Sequence, residues 1–139
     1  MTSAEAHHQV MSVMTRYATS VDVKDLDRYA TCFAEDLKVY GYGSETIVGR
    51  DRYLDYVREA LTNYSRTQHL LGNFEIDVNG DEASMRSYVQ AMHVPLADPE
   101  KVFVLWAIYD DRLIRTPDGW RITEHRLEPI ARERGGRMP

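Results

Sequence analysis

The chain has 139 residues, 43% hydrophobic and 28% charged, which is the length and make-up of one domain able to bury its own core. Seventeen Lys and Arg against 22 Asp and Glu leave a net charge of −5, which argues against nucleic acid or an anionic membrane as partner, since both need a basic footprint. The single cysteine, Cys32, excludes an intramolecular disulfide and a multi-cysteine metal site. The start of the chain lacks the basic and apolar segments of a signal peptide, and no run approaches the ~18 apolar residues of a membrane span, so a cytoplasmic protein is expected.

The first half reads as helical. Val10, Val13, Met14, Tyr17 and Val21 recur at helical spacing, with Thr2 or Ser3 as N-cap. A short second helix is expected from about Lys24 to Phe33, with Leu26, Tyr29, Ala30 and Phe33 on its apolar face. Leu37 to Tyr40 alternates like a strand, and Gly41 and Gly43 interrupt it. Gly49-Arg50-Asp51 opens a third helix, whose buried stripe is Tyr53, Leu54, Val57, Ala60 and Leu61.

The second half reads as strands: Thr67–Val78, Glu82–Leu96, Val102–Arg115 and Trp120 to about Ile130. Asn79-Gly80 is a strong hairpin signal, because a type I′ turn needs positive φ at both central residues. Thr116-Pro117-Asp118-Gly119 marks another turn. Gly72 predicts a bulge. His69 and Leu71 share one face before it, and Phe74, Ile76 and Val78 share a face after it, which agree only if one residue is inserted. Residues 1–8 and 132–139 are expected to be loose ends of one domain spanning 1–139. Helices followed by a meander of long strands define an α+β fold. A curved, mostly antiparallel sheet wrapped by three helices would form a cone with an internal pocket.

The chemistry-bearing residues are few. Asp22 follows the last turn of the first helix, where the helix dipole disfavours a carboxylate. It points toward the core stripe, yet it could equally cap the second helix with Asp25 at N3. His69 and His93 fall on inward faces of adjacent strands, diagonal to one another. A histidine oriented by a carboxylate is a general base, a second histidine can act as acid on a leaving group, and tyrosine hydroxyls can polarise a carbonyl. That set suits proton abstraction beside a carbonyl without a cofactor or metal. There is no phosphate-binding glycine loop and no nucleophile elbow. His7 and His8 read as solvated, and His125 completes no recognisable metal spacing.

Tyr17-Ala-Thr-Ser-Val-Asp22-Val-Lys-Asp25-Leu-Asp-Arg-Tyr-Ala30, Gly49-Arg50, Thr67-Gln68-His69-Leu-Leu-Gly72-Asn73 and Asp118-Gly119-Trp120-Arg121-Ile122 resemble segments of SnoaL-like proteins, within the nuclear-transport-factor-2-like superfamily. The likeness runs from about Val10 to Pro129 and is nearest to the scytalone dehydratase family, with hexachlorocyclohexane dehydrochlorinase a further relative of the same fold. It implies catalytic roles for Asp22, His69 and His93. Val21 and Gly41 stand where scytalone dehydratases place pocket tyrosines, and Val104 to Ala107 are apolar where those enzymes are polar. Tyr17, Tyr40, Tyr42, Tyr53, Leu71 and Trp106 are therefore the residues expected to contact a substrate.

The expected activity is a cofactor-independent dehydratase-type elimination on a small, apolar, cyclic carbonyl or hydroxyl compound. A polyketide cyclase or ketosteroid-type isomerase using the same base is the first alternative, and a non-catalytic small-molecule binder the second. A homodimer or homotrimer is expected through the open sheet face, with Phe103, Trp106 and Tyr109 on the strand concerned.

Overall fold

In the computed structural model, residues 2–133 are described. Helix α1 covers Ser3–Asp22. Thr2 starts it with a reciprocal cap: its Oγ1 accepts the Glu5 N–H at 3.1 Å, and Glu5 accepts the Thr2 N–H at 2.7 Å. This corrects the expectation of a loose end at residues 1–8, since Ser3–His8 form the first turns of α1. Val10, Val13, Met14, Tyr17 and Val21 form its buried face as their spacing requires.

Lys24, at φ 60°, turns the chain into the short helix α2, Leu26–Ala30. Asp25, not Asp22, caps this helix by accepting the Arg28 N–H at 3.1 Å. The helix is shorter than its pattern suggested, because Phe33 begins strand β1, Phe33–Tyr40. A two-residue strand β2, Ile47–Val48, pairs with β1 and leads into α3, Arg50–Leu61.

Four long strands follow: β3 Tyr64–Asn79, β4 Glu82–Pro95, β5 Phe103–Thr116 and β6 Gly119–Glu133. Arg132 thus belongs to β6 rather than to a frayed tail, and 134–139 lie outside the described residues. The sheet order is β2-β1-β6-β5-β4-β3, antiparallel throughout except for the parallel β1–β6 pair. The helices pack on its inner face, α1 chiefly against β3 and α3 against β1.

Two bulges set which side chains enter the cone. In β3 the register shifts between Gly72 and Glu75, where Asn73 takes φ 52°. His69 and Leu71 before it, and Phe74, Ile76 and Val78 after it, therefore lie on one part-buried face. The same shift pairs His69 with Ala91 and Thr67 with His93, which keeps the two histidines diagonal neighbours. In β6 the register shifts opposite Arg112 and Leu113 and passes over Thr123. Trp120 and Ile122 face inward before the shift, and His125 and Leu127 face inward after it.

On β5, Phe103, Leu105, Ala107, Tyr109, Asp111 and Leu113 alternate inward. Phe103 and Tyr109 therefore line the interior, contrary to the expectation that they serve an outer contact face. Trp106 keeps that outer position.

Candidate active site

The cone encloses a cavity of about 440 Å³, a volume suited to a small organic ligand. One wall carries His69, His93, Tyr64 and Thr67 from β3 and β4. The other carries Tyr17 from α1, Tyr42 from the turn after β1, and Tyr53 from α3. Val21, Leu61, Phe103, Leu105 and Leu127 supply apolar surface between them.

Asp22 ends α1, and three hydrogen bonds offset the unfavourable dipole there. Its Oδ1 accepts from Thr67 Oγ1 at 3.0 Å and from His69 Nδ1 at 2.6 Å, and its Oδ2 accepts the His69 backbone N–H at 2.9 Å. The carboxylate thereby fixes the imidazole ring, with the hydrogen on Nδ1 and the lone pair on Nε2. Both side chains are mostly buried, at 18% and 12% exposure, so the pair keeps some contact with solvent.

The His93 ring lies 6.0 Å from that of His69 and packs between Tyr64 and Phe103. Burial, and next the neighbouring His69, push its pKa down to about 4. Near neutral pH it is therefore uncharged, able to donate a hydrogen bond but lacking the acidity of an imidazolium. Its Nδ1 is buried without a hydrogen-bond partner. This neutral state differs from the acid that the sequence reading expected of His93.

The opposite wall holds a second Asp–His pair that spacing did not reveal. Asp111 and His125 are directly paired across β5 and β6, and the Asp111 carboxylate accepts from His125 Nδ1. Both side chains are fully buried, and Asp111 Oδ2 has no partner. His125 Nε2 lies 2.9 Å from the Tyr17 hydroxyl and 2.8 Å from the Tyr42 hydroxyl, which are 3.0 Å from each other. Tyr53 extends the cluster at 3.4 Å from Tyr17 and 2.9 Å from Tyr29. Burial raises Tyr17, Tyr29, Tyr42 and Tyr53 above the ordinary phenol range, so all four stay protonated.

Of the expected contact residues, Tyr17, Tyr42 and Tyr53 reach the cavity and three do not. Tyr40 points out of the cone, with the Arg126 guanidinium 4.3 Å above its ring. Leu71 lines a separate groove between α1 and β3 beside Met14 and Phe74. Trp106 is on the outer sheet face, because the neighbouring Leu105 takes the inward position. The sequence reading missed Tyr109, Asp111 and His125. A signal existed for Asp111: an acidic residue at an inward position between Tyr109 and Leu113. Among the described residues no three His, Cys, Asp or Glu side chains come together to hold a metal ion, and no helix is long and apolar enough to cross a membrane.

A curved sheet closed by three helices over a cavity beside an Asp–His pair is the cone-shaped α+β fold that the sequence led us to expect. The SnoaL-like domain profile matches residues 2–126, and the chain belongs to that family. It is 30% identical over 115 residues to the uncharacterized protein Rv2910c of Mycobacterium tuberculosis, covering 82% of this chain and 78% of that one. Among the solved structures that share the fold are the following two. A candidate scytalone dehydratase from Novosphingobium aromaticivorans superposes with a TM-score of 0.85 at 23% identity, covering 96% of this chain and 89% of the other. A hexachlorocyclohexane dehydrochlorinase (LinA, type 2) superposes with a TM-score of 0.84 at 16% identity, covering 98% and 94%.

Proposed function

We propose that the protein is a cofactor-independent lyase acting on a small, largely apolar cyclic compound with a carbonyl or hydroxyl group. The observation that carries this reading is the Asp22–His69 contact at 2.6 Å, with His69 on the wall of a cavity of mixed apolar and hydroxyl-bearing side chains. His69 Nε2 removes a proton from carbon beside the carbonyl, and Asp22 orients the ring and stabilises the imidazolium that forms. The electron pair moves into the carbonyl oxygen and returns to expel a β-substituent. His93, uncharged, donates a hydrogen bond to the departing group. A passive binder would have no need of an imidazole held by a carboxylate that Thr67 and the His69 backbone themselves fix in place.

The neutral state of His93 favours a second reading, double-bond isomerisation, in which no leaving group needs a proton. Product mass separates the two: loss of water or halide marks the lyase, and unchanged mass marks the isomerase or cyclase.

Both readings are tested without knowing the substrate. Enolisable cyclic ketones incubated with the protein in D₂O should exchange their α-hydrogens, followed by proton NMR. His69→Ala and Asp22→Asn should each lower the rate by about 10²–10⁴-fold while the fold melts as before. Undiminished exchange in both variants would overturn the assignment. A homodimer or homotrimer through the outer sheet face, where Leu70, Tyr88, Trp106 and Ile130 gather, belongs to the same proposal and is read by sedimentation.

A further inference from the structure

The Asp22–His69 chemistry leaves the Asp111–His125–Tyr17–Tyr42 cluster without a task. A buried ion-pairing group is costly to keep, and replacing such pairs by apolar residues is often neutral or stabilising. Here the pair is sealed from solvent, one carboxylate oxygen has no partner, and its far end meets two hydroxyls that border the cavity. We propose that this cluster is a second, acidic subsite. It receives an oxygen of the ligand, of the enol or phenol class, and exchanges a proton with it through Tyr17 and Tyr42 from His125.

The hydrogen inventory supports this. Tyr17 Oη, Tyr42 Oη and His125 Nε2 form a triangle with sides of 2.8, 2.9 and 3.0 Å. When Nε2 is bare, the two phenolic hydrogens close the triangle on themselves: one hydroxyl donates to nitrogen and the other to its neighbour's oxygen. A proton on Nε2 changes the count. The nitrogen then donates to one hydroxyl, that hydroxyl donates to the second, and the second has its hydrogen free for the cavity. The same proton compensates the Asp111 carboxylate, which has no other partner in the interior. His125 and Asp111 therefore act through the tyrosines, as positioning residues, and the phenols touch the ligand.

Position completes the reading. His69 stands on β3 and His125 on β6, three strand spacings apart, about 14 Å along the curved sheet and less across it. A cyclic molecule in the cavity can place a carbon–hydrogen bond near His69 while its oxygen meets Tyr17 and Tyr42. When His69 takes the proton from carbon, the electron pair moves to this oxygen, which takes a proton from a phenol, and His125 Nε2 restores the phenol. In the return step the oxygen gives its proton back along the same path. The proton on His69 either joins a departing hydroxide as water or returns to another carbon. The proposal deepens the lyase reading by naming a substrate class, and it rests on that reading only for the carbon–hydrogen step.

Binding of 4-nitrophenol, whose phenol and phenolate forms absorb at different wavelengths, tests the subsite alone. Near the probe's own pKa, the intact protein should bind it and raise its phenolate fraction above that in water, as the proton passes to His125. Tyr42→Phe and Asp111→Asn should weaken binding by about tenfold or more, the effect of losing a hydrogen bond to a charged oxygen, and return the bound spectrum toward phenol. His69→Ala should leave affinity and spectrum within about twofold. Equal affinity and spectrum in all four proteins would overturn the subsite. So would loss of binding in His69→Ala alone. Tyr42→Phe keeps the ring in place, so it remains informative if Asp111→Asn does not fold. Failure of deuterium exchange with this probe result intact would instead count against the lyase reading only.

Discussion

Two Asp–His pairs flank one cavity, His69 lining it and His125 set behind the Tyr17 and Tyr42 hydroxyls, and their surroundings differ. Asp22–His69 lies at a helix end, partly exposed, with every carboxylate bond drawn from Thr67 and His69 and the outer imidazole nitrogen left free. Asp111–His125 lies between two strands, fully buried, with its outer nitrogen occupied by two phenols and one carboxylate oxygen left without a partner. The same two residue types thus leave an imidazole nitrogen open in one pair and enclose it between phenols in the other, which is why the proposed roles are a base for the first and a hydrogen-bonding subsite for the second. Residue identity alone does not distinguish the two pairs; the partner on the second imidazole nitrogen does.

Stability should show the largest contrast. Asp111→Ala strands a buried imidazole and should cost about 3–5 kcal/mol in urea denaturation, whereas Asp22→Ala, at a partly solvated site, should cost clearly less. Equal losses would erase the distinction in burial. Gly41→Ala comes next. Gly41 sits at φ 91°, and a Cβ there would lie 2.0 Å from the Leu127 carbonyl oxygen. The substitution should cost at least about 2 kcal/mol and displace Tyr42 from His125. Its nitrophenol affinity should fall while the Asp22–His69 side stays formed, as the His69 imidazole signals in NMR would report.

A smaller effect tests the environment between the pairs. His93 is held near 4 in the folded protein against an ordinary 6.5, so the unfolded chain binds the proton first as pH falls. Its contribution to stability is complete above pH 6.5 and is lost progressively toward pH 4. The melting temperature should therefore drop across that window, and less steeply in His93→Gln, as followed by circular dichroism. Parallel curves for the two proteins would show that His93 is not desolvated. The smallest expected change is Thr67→Val, which removes one of three hydrogen bonds to Asp22 and should cost about 1 kcal/mol in chemical denaturation. A full loss of deuterium exchange in this variant would mean that Thr67, and not the backbone bond from His69, sets the position of the carboxylate.

Much of this was legible in the residues. The helical stripe through Tyr17 and Val21, the Asn79-Gly80 turn, the Gly72 bulge and the inward faces of His69 and His93 follow from periods of 3.6 and 2 and from turn chemistry, which act locally. The SnoaL-like resemblance joined Asp22 to His69 across 47 positions, which periodicity alone does not do. The residue pattern had left Asp22 with two possible duties, and the structure gives the helix cap to Asp25 instead.

His125 shows what chain order conceals. Strict alternation from Trp120 and Ile122 would send it outward, but the skipped residue at Thr123 turns it inward to face Asp111. Tyr40 and Tyr42 are likewise equivalent as residues, and the turn through Gly41 sends the first under Arg126 and the second to His125. The sequence determined the elements and their buried faces, because those depend on neighbours along the chain, and its SnoaL-like segments pointed to the Asp22–His69 pair. Tertiary structure decided the second pair and the tyrosines that meet it, because a one-residue bulge reverses every later side chain and only the pairing of distant strands sets where it falls.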